Sequence, residues 1–267
     1  MQRFASRRAF RKGALFAFWP LLLLLLFWAG APWAQECPSA VANESVTVAY
    51  VHDGDTLNLS DGRKLRLIGI NTPELAREEQ AAEPYAEEAR RAVAHYIPRN
   101  SRIDIQYGTE RHDHYGRLLV HVILPDGRNL NRLLLQEGLA QAIAVPPNLA
   151  FLDCYWQVDG EARSRHQGLW QEPYFQPLKA AALKGGEQGF HLLRGRVQRV
   201  GESRKAYWLD LDGPVTVRID KRDLDHFSNK DFKNLIGHEV EARGWLHTYR
   251  AKLQVGVRHQ RALVVLD

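Results

Sequence analysis

Residues 53–74 read DGDTLNLSDGRKLRLIGINTPE, and this stretch decides the fold of the chain. Over Lys64–Ile70 apolar residues alternate with polar ones, which is the period of a half-buried β-strand. A shorter apolar run, 57–59, precedes the turn residues Ser60-Asp61-Gly62, so two strands joined by a tight turn are expected. The stretch therefore predicts a β-hairpin at the centre of a mainly β structure.

The same hairpin concentrates charged side chains. Asp55 lies in the turn before it, Arg66 lies inside its second strand, and Glu74 lies in the loop that leaves it. An arginine on a partly apolar strand face is costly unless an anion compensates it, and that anion is either a structural carboxylate or a phosphate. A second basic site follows in the motif 113–117. Carboxylates suit a hard cation and arginines suit phosphate, so these residues predict phosphodiester chemistry.

The flanking sequence predicts an OB-type barrel over residues 46–170. Apolar residues recur every three or four positions between Tyr85 and Ile97, which indicates a helix that Pro98 ends. Three strands, this helix and two further strands follow the order of an OB fold. We therefore expect a mainly β structure with α-helices (α+β), in which two later helices pack on the barrel. The expected strands are 46–51, 57–59, 64–70, 102–107 and 118–124, and the later helices are 130–138 and 151–167.

A second OB-like barrel is predicted over residues 190–267. Prolines and glycines mark 171–189 as a linker, and three strands, a short helix over 227–236 and further strands follow it. Aromatics and cations on an OB face often hold single-stranded nucleic acid, whereas core aromatics with a solvated basic rim produce the same composition. Nucleic-acid binding by this barrel is therefore one of two open interpretations. The residues concerned are Tyr207, Trp208, Trp245, Tyr249, Arg194, Arg196, Arg199, Arg204 and Lys205.

Residues 1–34 have the composition of an export signal. Five basic residues precede an apolar run over 14–31. Cleavage after Ala34 would release the mature chain, although Pro32 departs from the small residue expected at that position. An uncleaved membrane anchor is the alternative, because about 18 apolar residues nearly span a bilayer. We expect an exported protein, periplasmic or secreted unless residues 14–31 anchor it, with a tether over 35–45.

The basic balance of the whole chain comes from that N-terminal segment. The chain has 36 lysines and arginines against 31 acidic residues, and the five basic residues of 1–34 account for the difference. Residues 35–186 hold 16 basic and 20 acidic residues, whereas 187–267 hold 15 basic and 11 acidic residues. An acidic excess suits a catalytic part that binds cations, and a basic excess suits a second part that attracts a polyanion. A chance fluctuation of surface charge would produce the same difference.

Cys37 and Cys154 are the two cysteines of the chain. In an oxidising compartment an even count permits one disulfide, which here would close a very long loop. Two free thiols, one of them in the N-terminal tail, are the alternative that the sequence leaves open.

Three ordered motifs resemble the staphylococcal (thermo)nuclease family. They are Asp53-Gly54-Asp55-Thr56, Arg66-Leu67-Ile68-Gly69-Ile70-Asn71-Thr72-Pro73-Glu74 and Asp113-x-Tyr115-Gly116-Arg117, and the resemblance covers residues 46–170. Members of this family are OB-fold, calcium-dependent nucleases that act on DNA and RNA. The resemblance therefore implies that fold, a calcium cofactor, a nucleic-acid substrate and products with 3′-phosphate ends.

The resemblance also implies a role for each matching residue. Arg66 and Arg117 are similar to the family's two phosphate-binding arginines, and Glu74 is similar to its general base. Asp55 resembles a calcium-ligating carboxylate, and Thr72 would contribute its backbone carbonyl to the same ion. These roles agree with elementary chemistry, because attack on an anionic phosphodiester needs positive charge on its oxygens and two arginines supply it.

Three positions qualify the resemblance. Asn71 stands where the family's best-known member has an aspartate, so we expect its carboxamide oxygen to ligate calcium with weaker affinity for want of one negative charge. His114 stands where a lysine can serve phosphate binding, and it is either a substrate contact or an exposed loop residue. Tyr115 would lie beside the phosphate or sugar of the substrate.

A noncatalytic OB-fold module that binds nucleic acid or supports an assembly is the rival interpretation. Degenerate domains of that kind would be expected to lose Arg66, Glu74 or Arg117, and this chain keeps all three. The intact trio favours the enzyme. The preference for DNA or RNA stays open, and the sequence indicates no particular protein partner.

Overall fold

The computed structural model describes residues 37–78, 80–250 and 252–266. These residues belong to one compact unit, Gln35–Asp267. The export signal or membrane anchor predicted over 1–34 lies outside the described residues. Within the described ranges, the helices are too short or too polar to cross a membrane.

The first part of the chain confirms the predicted α+β architecture with an OB-type barrel. Strands β1, β2, β3, β6 and β5, in that order, close a barrel in which β3 and β6 run parallel and the other pairs run antiparallel. The elements are β1 (Glu44–Val51), β2 (Thr56–Leu59), β3 (Lys64–Leu67), β4 (Ile70–Asn71), α1 (Ala86–Tyr96), β5 (Arg102–His112), β6 (Leu118–Ile123), α2 (Leu130–Gln136), β7 (Gln141–Ala142) and α3 (Leu152–Ser164).

Strand β3 is shorter than the alternation predicted. It ends at Leu67, because Gly69 has a φ of +77°, a conformation that a strand does not continue and that favours glycine. A Cβ at Gly69 would also lie 2.8 Å from the ring of Tyr155. The expected strand to Ile70 is therefore wrong: Ile70 begins the separate strand β4, which pairs with β7, and its side chain is buried in the barrel core.

The N-terminal residues are held against the barrel rather than forming a free tether over 35–45. Cys37 and Cys154 form a disulfide with their Cα atoms 5.3 Å apart, which decides the alternative that the sequence left open. The N–H of Val41 donates to Oε1 of Gln106 at 2.7 Å, and β1 already begins at Glu44. The N-terminal end of the described chain is thus attached both to α3 and to the edge of β5.

The second part of the chain forms another closed barrel, which confirms the prediction of two OB-like units. Its ring runs β9, β10, β11, β13 and β12, and β12 pairs back onto β9. The short strands β8 and β14 flank this ring. The strands are β8 (Leu178–Lys179), β9 (Gly189–Glu202), β10 (Ala206–Leu211), β11 (Val215–Asp220), β12 (Glu239–Tyr249), β13 (Lys252–Gly256) and β14 (Leu263–Val265).

Two predicted connections differ from the structure. The helix expected over 227–236 is wrong: a 3₁₀ turn at Phe232–Leu235 takes its place, and the Asp231 side chain accepts the N–H of Lys233 instead of letting a helix extend backwards through it. Residues 171–189, expected as a linker, are folded. Phe175 packs with Trp170 on the first barrel's side, and β8 joins the second barrel's sheet.

Buried ion pairs join the two barrels. Arg243 of β12 donates to Oδ2 of Asp159 on α3 at 2.7 Å, and the two side chains are only 8% and 1% exposed. The same guanidinium donates to the carbonyl of Ala142 at 3.0 Å and lies over the ring of Trp156. Burial raises the pKa of Asp159, and Arg243 opposes that shift. The second barrel is therefore docked through charges that have little access to water.

A second pair strengthens the same junction. Glu241 of β12 accepts two hydrogen bonds from Arg163 of α3, at 2.6 and 2.9 Å, and one from Arg194 at 2.8 Å. Burial alone would raise the pKa of Glu241, but the two guanidinium groups hold it below its ordinary value. Alternate residues of one strand thus carry both anchoring contacts.

We predict that Arg243→Met lowers the free energy of unfolding by about 3–5 kcal/mol, because the Asp159 carboxylate would stay buried without its cation. Denaturant unfolding measures this change. Arg165→Met is the control, since Arg165 pairs with Glu161 on the surface of α3 and its loss should stay within about 0.5 kcal/mol. Equal losses in the two variants would contradict the role of the buried pair.

Candidate active site

The turn between β1 and β2 is pressed against the loop that follows β4. The N–H of Thr72 donates to Oδ2 of Asp55 at 3.1 Å, and the N–H of Asp55 donates to Oδ1 of Asp53 at 3.0 Å. A Cβ at Gly54 would lie 2.8 Å from the Thr72 side chain, so the turn needs glycine at this close approach. The motif 53–56 therefore holds Thr72 in place, and it also supplies the Asp55 carboxylate.

Arg66 has a carboxylate partner. Its Nη1 lies 2.8 Å from Oδ2 of Asp55, and the two side chains are only 13% and 9% exposed. Nη1 also donates to the carbonyl of Leu67 at 2.6 Å. Burial raises the pKa of Asp55 to about 6, and the charge of Arg66 opposes that shift. Of the two anions that the sequence left open for Arg66, the structure shows the carboxylate.

The three predicted metal ligands are gathered around this ion pair. Oδ1 of Asn71 accepts from Nη2 of Arg66 at 3.4 Å, so it flanks the same guanidinium as Asp55. Thr72 is tied to Asp55 through its N–H, and all three residues are buried. A carboxylate, a carboxamide and a backbone carbonyl are hard oxygen donors that suit calcium, with water and substrate completing its shell. Among the described residues no group of three or more His, Cys, Asp or Glu side chains is placed to hold a metal.

Glu74 lies at the mouth of the site and is half exposed. Its carboxylate accepts from Nη2 of Arg77 at 2.6 Å. Its backbone is fixed by Glu83, whose N–H donates to the Glu74 carbonyl at 2.9 Å and whose carboxylate accepts the Glu74 N–H at 3.0 Å. Arg77 was not predicted as a site residue, although its place three residues after Glu74 was a signal for such a pair.

Arg117 enters from the loop between β5 and β6. Its Nε donates to Oδ2 of Asp113 at 2.7 Å, while Oδ1 of Asp113 accepts the N–H groups of Tyr115 and Arg117 at 2.9 Å. Burial would raise the pKa of Asp113, but its bonds to Arg117 lower it overall. Asp113 therefore orients the predicted phosphate-binding arginine.

The two predicted substrate contacts form a small aromatic surface beside Arg117. The ring of Tyr115 is 74% exposed, and the guanidinium of Arg117 lies 5.5 Å from its centroid. The ring of His114 lies 3.7 Å from that of Tyr115. An exposed aromatic surface next to an arginine is suited to a sugar or a base of a bound nucleotide.

Seven of the eight predicted site residues line one cleft of about 670 Å³. Thr72 lies behind its wall, held by Asp55. Trp245 and Arg258 of the second barrel line the same cleft and were not predicted as part of it. No local sequence pattern could have placed them there, because the docking of the two barrels brings them to the cleft. The residues predicted from sequence that line it are Asp55, Arg66, Asn71, Glu74, His114, Tyr115 and Arg117.

Comparisons with known proteins match most of the first barrel. A family model described as "Staphylococcal nuclease homologue" matches residues 64–172. The thermonuclease of Staphylococcus intermedius is 35% identical over 140 residues, which cover 51% of this chain and 82% of that protein. The thermonuclease of Staphylococcus hyicus is 33% identical over 134 residues, covering 48% and 78%. Endonuclease YncB of Bacillus subtilis is 30% identical over 149 residues, covering 54% and 68%.

The fold and the relatives define a hydrolase of the nuclease class. The chain belongs to the staphylococcal nuclease family, as the resemblance of its three motifs implied. Membership favours the enzyme over the noncatalytic module. The matched model ends at residue 172, so the second barrel lies beyond it.

We predict that Asp113→Asn lowers the turnover rate on DNA by about 10-fold, because small errors in the position of a substrate-binding arginine are costly. Asp126→Asn is a matched control: Asp126 also accepts from the Nε and N–H of a nearby arginine, Arg128, but outside the cleft. Steady-state kinetics measure the turnover rate, and thermal unfolding compares the stability of the variants. A lower turnover rate in Asp113→Asn, with thermal midpoints equal to that of the wild type, would support the orienting role. Unchanged turnover in Asp113→Asn would contradict it.

Proposed function

We propose that this protein is an exported, calcium-dependent nuclease that hydrolyses phosphodiester bonds of DNA, RNA or both. The observation that carries the proposal is the cleft in which Asp55 and Arg66 are paired next to Glu74 and Arg117. Two arginines, an accessible carboxylate and hard oxygen donors within one cleft suit a phosphodiester, its attacking water and a metal ion.

Arg66 and Arg117 bind the phosphate in this mechanism. Guanidinium groups donate pairs of hydrogen bonds to phosphate oxygens, and these bonds strengthen as negative charge grows in the transition state. Both side chains are already oriented by carboxylates, Asp55 and Asp113, so little reorganisation precedes binding. Preorganisation of this kind supports a role in stabilising the transition state rather than only in holding the substrate.

Glu74 is the proposed general base. It lies at the mouth of the cleft, where water has access, and its fixed backbone limits where the carboxylate can reach. It accepts the proton of the water that attacks phosphorus, and release of the 5′ oxygen leaves a 3′-phosphate end. Tyr115 and His114 lie beside Arg117, where they would contact the sugar or phosphate of the substrate.

Asp55, Asn71 and the backbone carbonyl of Thr72 are the proposed calcium ligands. When bound, calcium supplies Lewis acidity and positive charge next to the phosphate. The family's known aspartate is replaced by Asn71, so the site keeps one formal negative charge from these three residues. A weaker metal site than in relatives with two carboxylates is therefore proposed.

Export is supported by the sequence of residues 1–34. The basic start and apolar run over 14–31 are typical of an export signal, and the Cys37–Cys154 disulfide suits an oxidising compartment. N-terminal sequencing of the mature protein distinguishes a periplasmic or secreted form from a membrane-anchored one. A mature chain that begins near residue 35 would support secretion, and an intact residue 1 would support the anchor.

We predict that calcium removal abolishes hydrolysis of single- and double-stranded DNA and that Glu74→Gln lowers turnover by about 10²–10⁴-fold, the usual contribution of general base catalysis. Glu88→Gln is the control, because Glu88 is likewise exposed and pairs with an arginine three residues later. Mass spectrometry of the products tests for 3′-phosphate ends. Cleavage that survives both chelation and Glu74→Gln would exclude the mechanism.

We predict that Asn71→Asp lowers the calcium concentration for half-maximal activity, since it adds a second carboxylate to the ligand set. Calcium titration of activity measures the shift. Asn58→Asp, which adds the same charge at another buried asparagine of the first barrel, controls for charge alone. The same half-saturation in wild type and Asn71→Asp would count against ligation by residue 71.

A further inference from the structure

The second barrel carries a cross-strand row of outward side chains that begins in the catalytic cleft. Trp208 of β10 pairs with Arg218 of β11, and Arg218 pairs with Gly256 of β13. The register of β12 with β13 sets Trp245 opposite Gly256. Residues directly opposite each other in a sheet share a face, so these four lie in one row. Val217 and Val255, their neighbours in the strands, point into the core.

The centre of this row is open. A Cβ at Gly256 would have no atom within 4 Å, so a shallow gap lies between Trp245 and Arg218. Trp245 is 46% exposed, and the guanidinium of Arg218 lies 5.4 Å from the Trp208 ring centroid. Three strand spacings of about 4.8 Å separate the two tryptophans, which makes a path of about 14 Å along the curved sheet. That path is as long as a few nucleotides at the rise of about 3.4 Å of a stacked strand.

The row borders a groove lined by cations, of which Arg218 is paired with Asp220. A cavity of about 500 Å³ is lined by Arg204, Lys205, Trp208, Arg218 and Tyr249, among others, and no carboxylate of the described residues lines it. Arg204 and Lys205 form no ion pair with any acidic side chain in the described part of the chain. Tyr249, 50% exposed, lies on β12 four residues beyond Trp245 and therefore on the same face.

We propose that this outer face, formed by Trp208, Arg218, Trp245, Tyr249, Arg204 and Lys205, binds single-stranded nucleic acid that continues out of the catalytic cleft. The inference rests on the proposed function for its substrate, and it adds a second binding surface on the second barrel. Exposed aromatic rings stack on bases, and a duplex keeps its base faces covered, so a single strand fits better than a duplex. The unpaired cations Arg204 and Lys205 complement the phosphate backbone.

Trp245 supplies the continuity between the two sites. It lines the catalytic cleft together with Arg258, and it is also the first member of the cross-strand row. The buried contacts of Glu241 and Arg243 lie four and two residues earlier on β12, so the strand that presents Trp245 is held against the first barrel. A strand leaving the cleft would therefore meet an aromatic surface in a defined position.

The test compares binding and cleavage for two substrate lengths. Affinity for a fluorescent single-stranded DNA of about 16 nucleotides, the upper range of an OB-fold site, is measured in chelator so that calcium-dependent cleavage is absent. We expect Trp208→Ala with Trp245→Ala to weaken this binding at least about 10-fold. Trp208→Phe with Trp245→Phe should restore most of it, which separates stacking from folding. A dinucleotide, which reaches only the cleft, should bind the wild type and the single variant Trp208→Ala alike.

The cations are tested through salt dependence. Arg204→Ala with Lys205→Ala should reduce the slope of log affinity against log salt concentration by about 1.4, since each single-strand phosphate contact contributes about 0.7. The control pair Arg91→Ala with Arg165→Ala removes two exposed cations from α1 and the end of α3, and its slope should match the wild type.

Cleavage kinetics separate this inference from the proposed function. With the long substrate KM should rise in the Trp208→Ala variant, whose substitution lies outside the catalytic cleft, while kcat stays near the wild-type value. If wild type cleaves DNA but the variants bind and cleave the long strand normally, the outer face is excluded and the nuclease mechanism stands. If the wild type does not cleave DNA, oligonucleotide binding in chelator still tests whether the outer face binds a single strand. Equal affinity for a duplex, or no binding at all, would also overturn the inference.

Discussion

The candidate site depends on the buried ion pair between Asp55 and Arg66. It joins three pieces of chain: the turn before β2, strand β3, and, through the Thr72 N–H, the loop that leaves β4. Each charge would be costly in this place without the other, because neither side chain has much contact with water. The pair therefore determines where the predicted metal ligands and the predicted phosphate-binding arginine lie relative to each other.

Carboxylates orient both arginines of the cleft, but in different surroundings. Asp55 is buried and its pKa is raised, whereas Asp113 lies in a more open loop and its pKa is lowered by Arg117. The first pair is part of the barrel wall, and the second belongs to a turn in which Asp113 accepts the N–H groups of Tyr115 and Arg117. One arginine of the site is thus held by the barrel and the other by the loop between β5 and β6.

The second barrel changes the shape of the cleft without belonging to the matched family region. Its docking depends on Arg243 and Glu241, whose partners Asp159 and Arg163 lie on α3 of the first barrel. Because the junction is buried and charged, the barrels hold one particular arrangement. In that arrangement Trp245 lies in the cleft, so residues of both barrels line it.

Much of the architecture and most of the candidate site followed from the sequence, because their signals are local. Alternation over β3, helical spacing over α1 and the order of strands and helix predicted the first barrel, and residues such as Asp55, Glu74 and Arg117 lie within short motifs. Errors arose where another interaction overrides the expected pattern, a tertiary contact in one case and a local side-chain cap in the other. Gly69, packed against Tyr155, ends β3 early, and the polar residues around Asp231 favour a 3₁₀ turn over a helix.

By itself, then, the sequence determined the two barrels, the chemistry of the charged residues and the family that they resemble. Only the tertiary structure decided that Arg66 pairs with Asp55, that Cys37 reaches Cys154 and that Trp245 lies in the cleft. The physical reason is distance along the chain. The apolar periods of strands and helices involve a few neighbouring residues and can be read from the sequence. These contacts, by contrast, form only after folding has brought separate elements together.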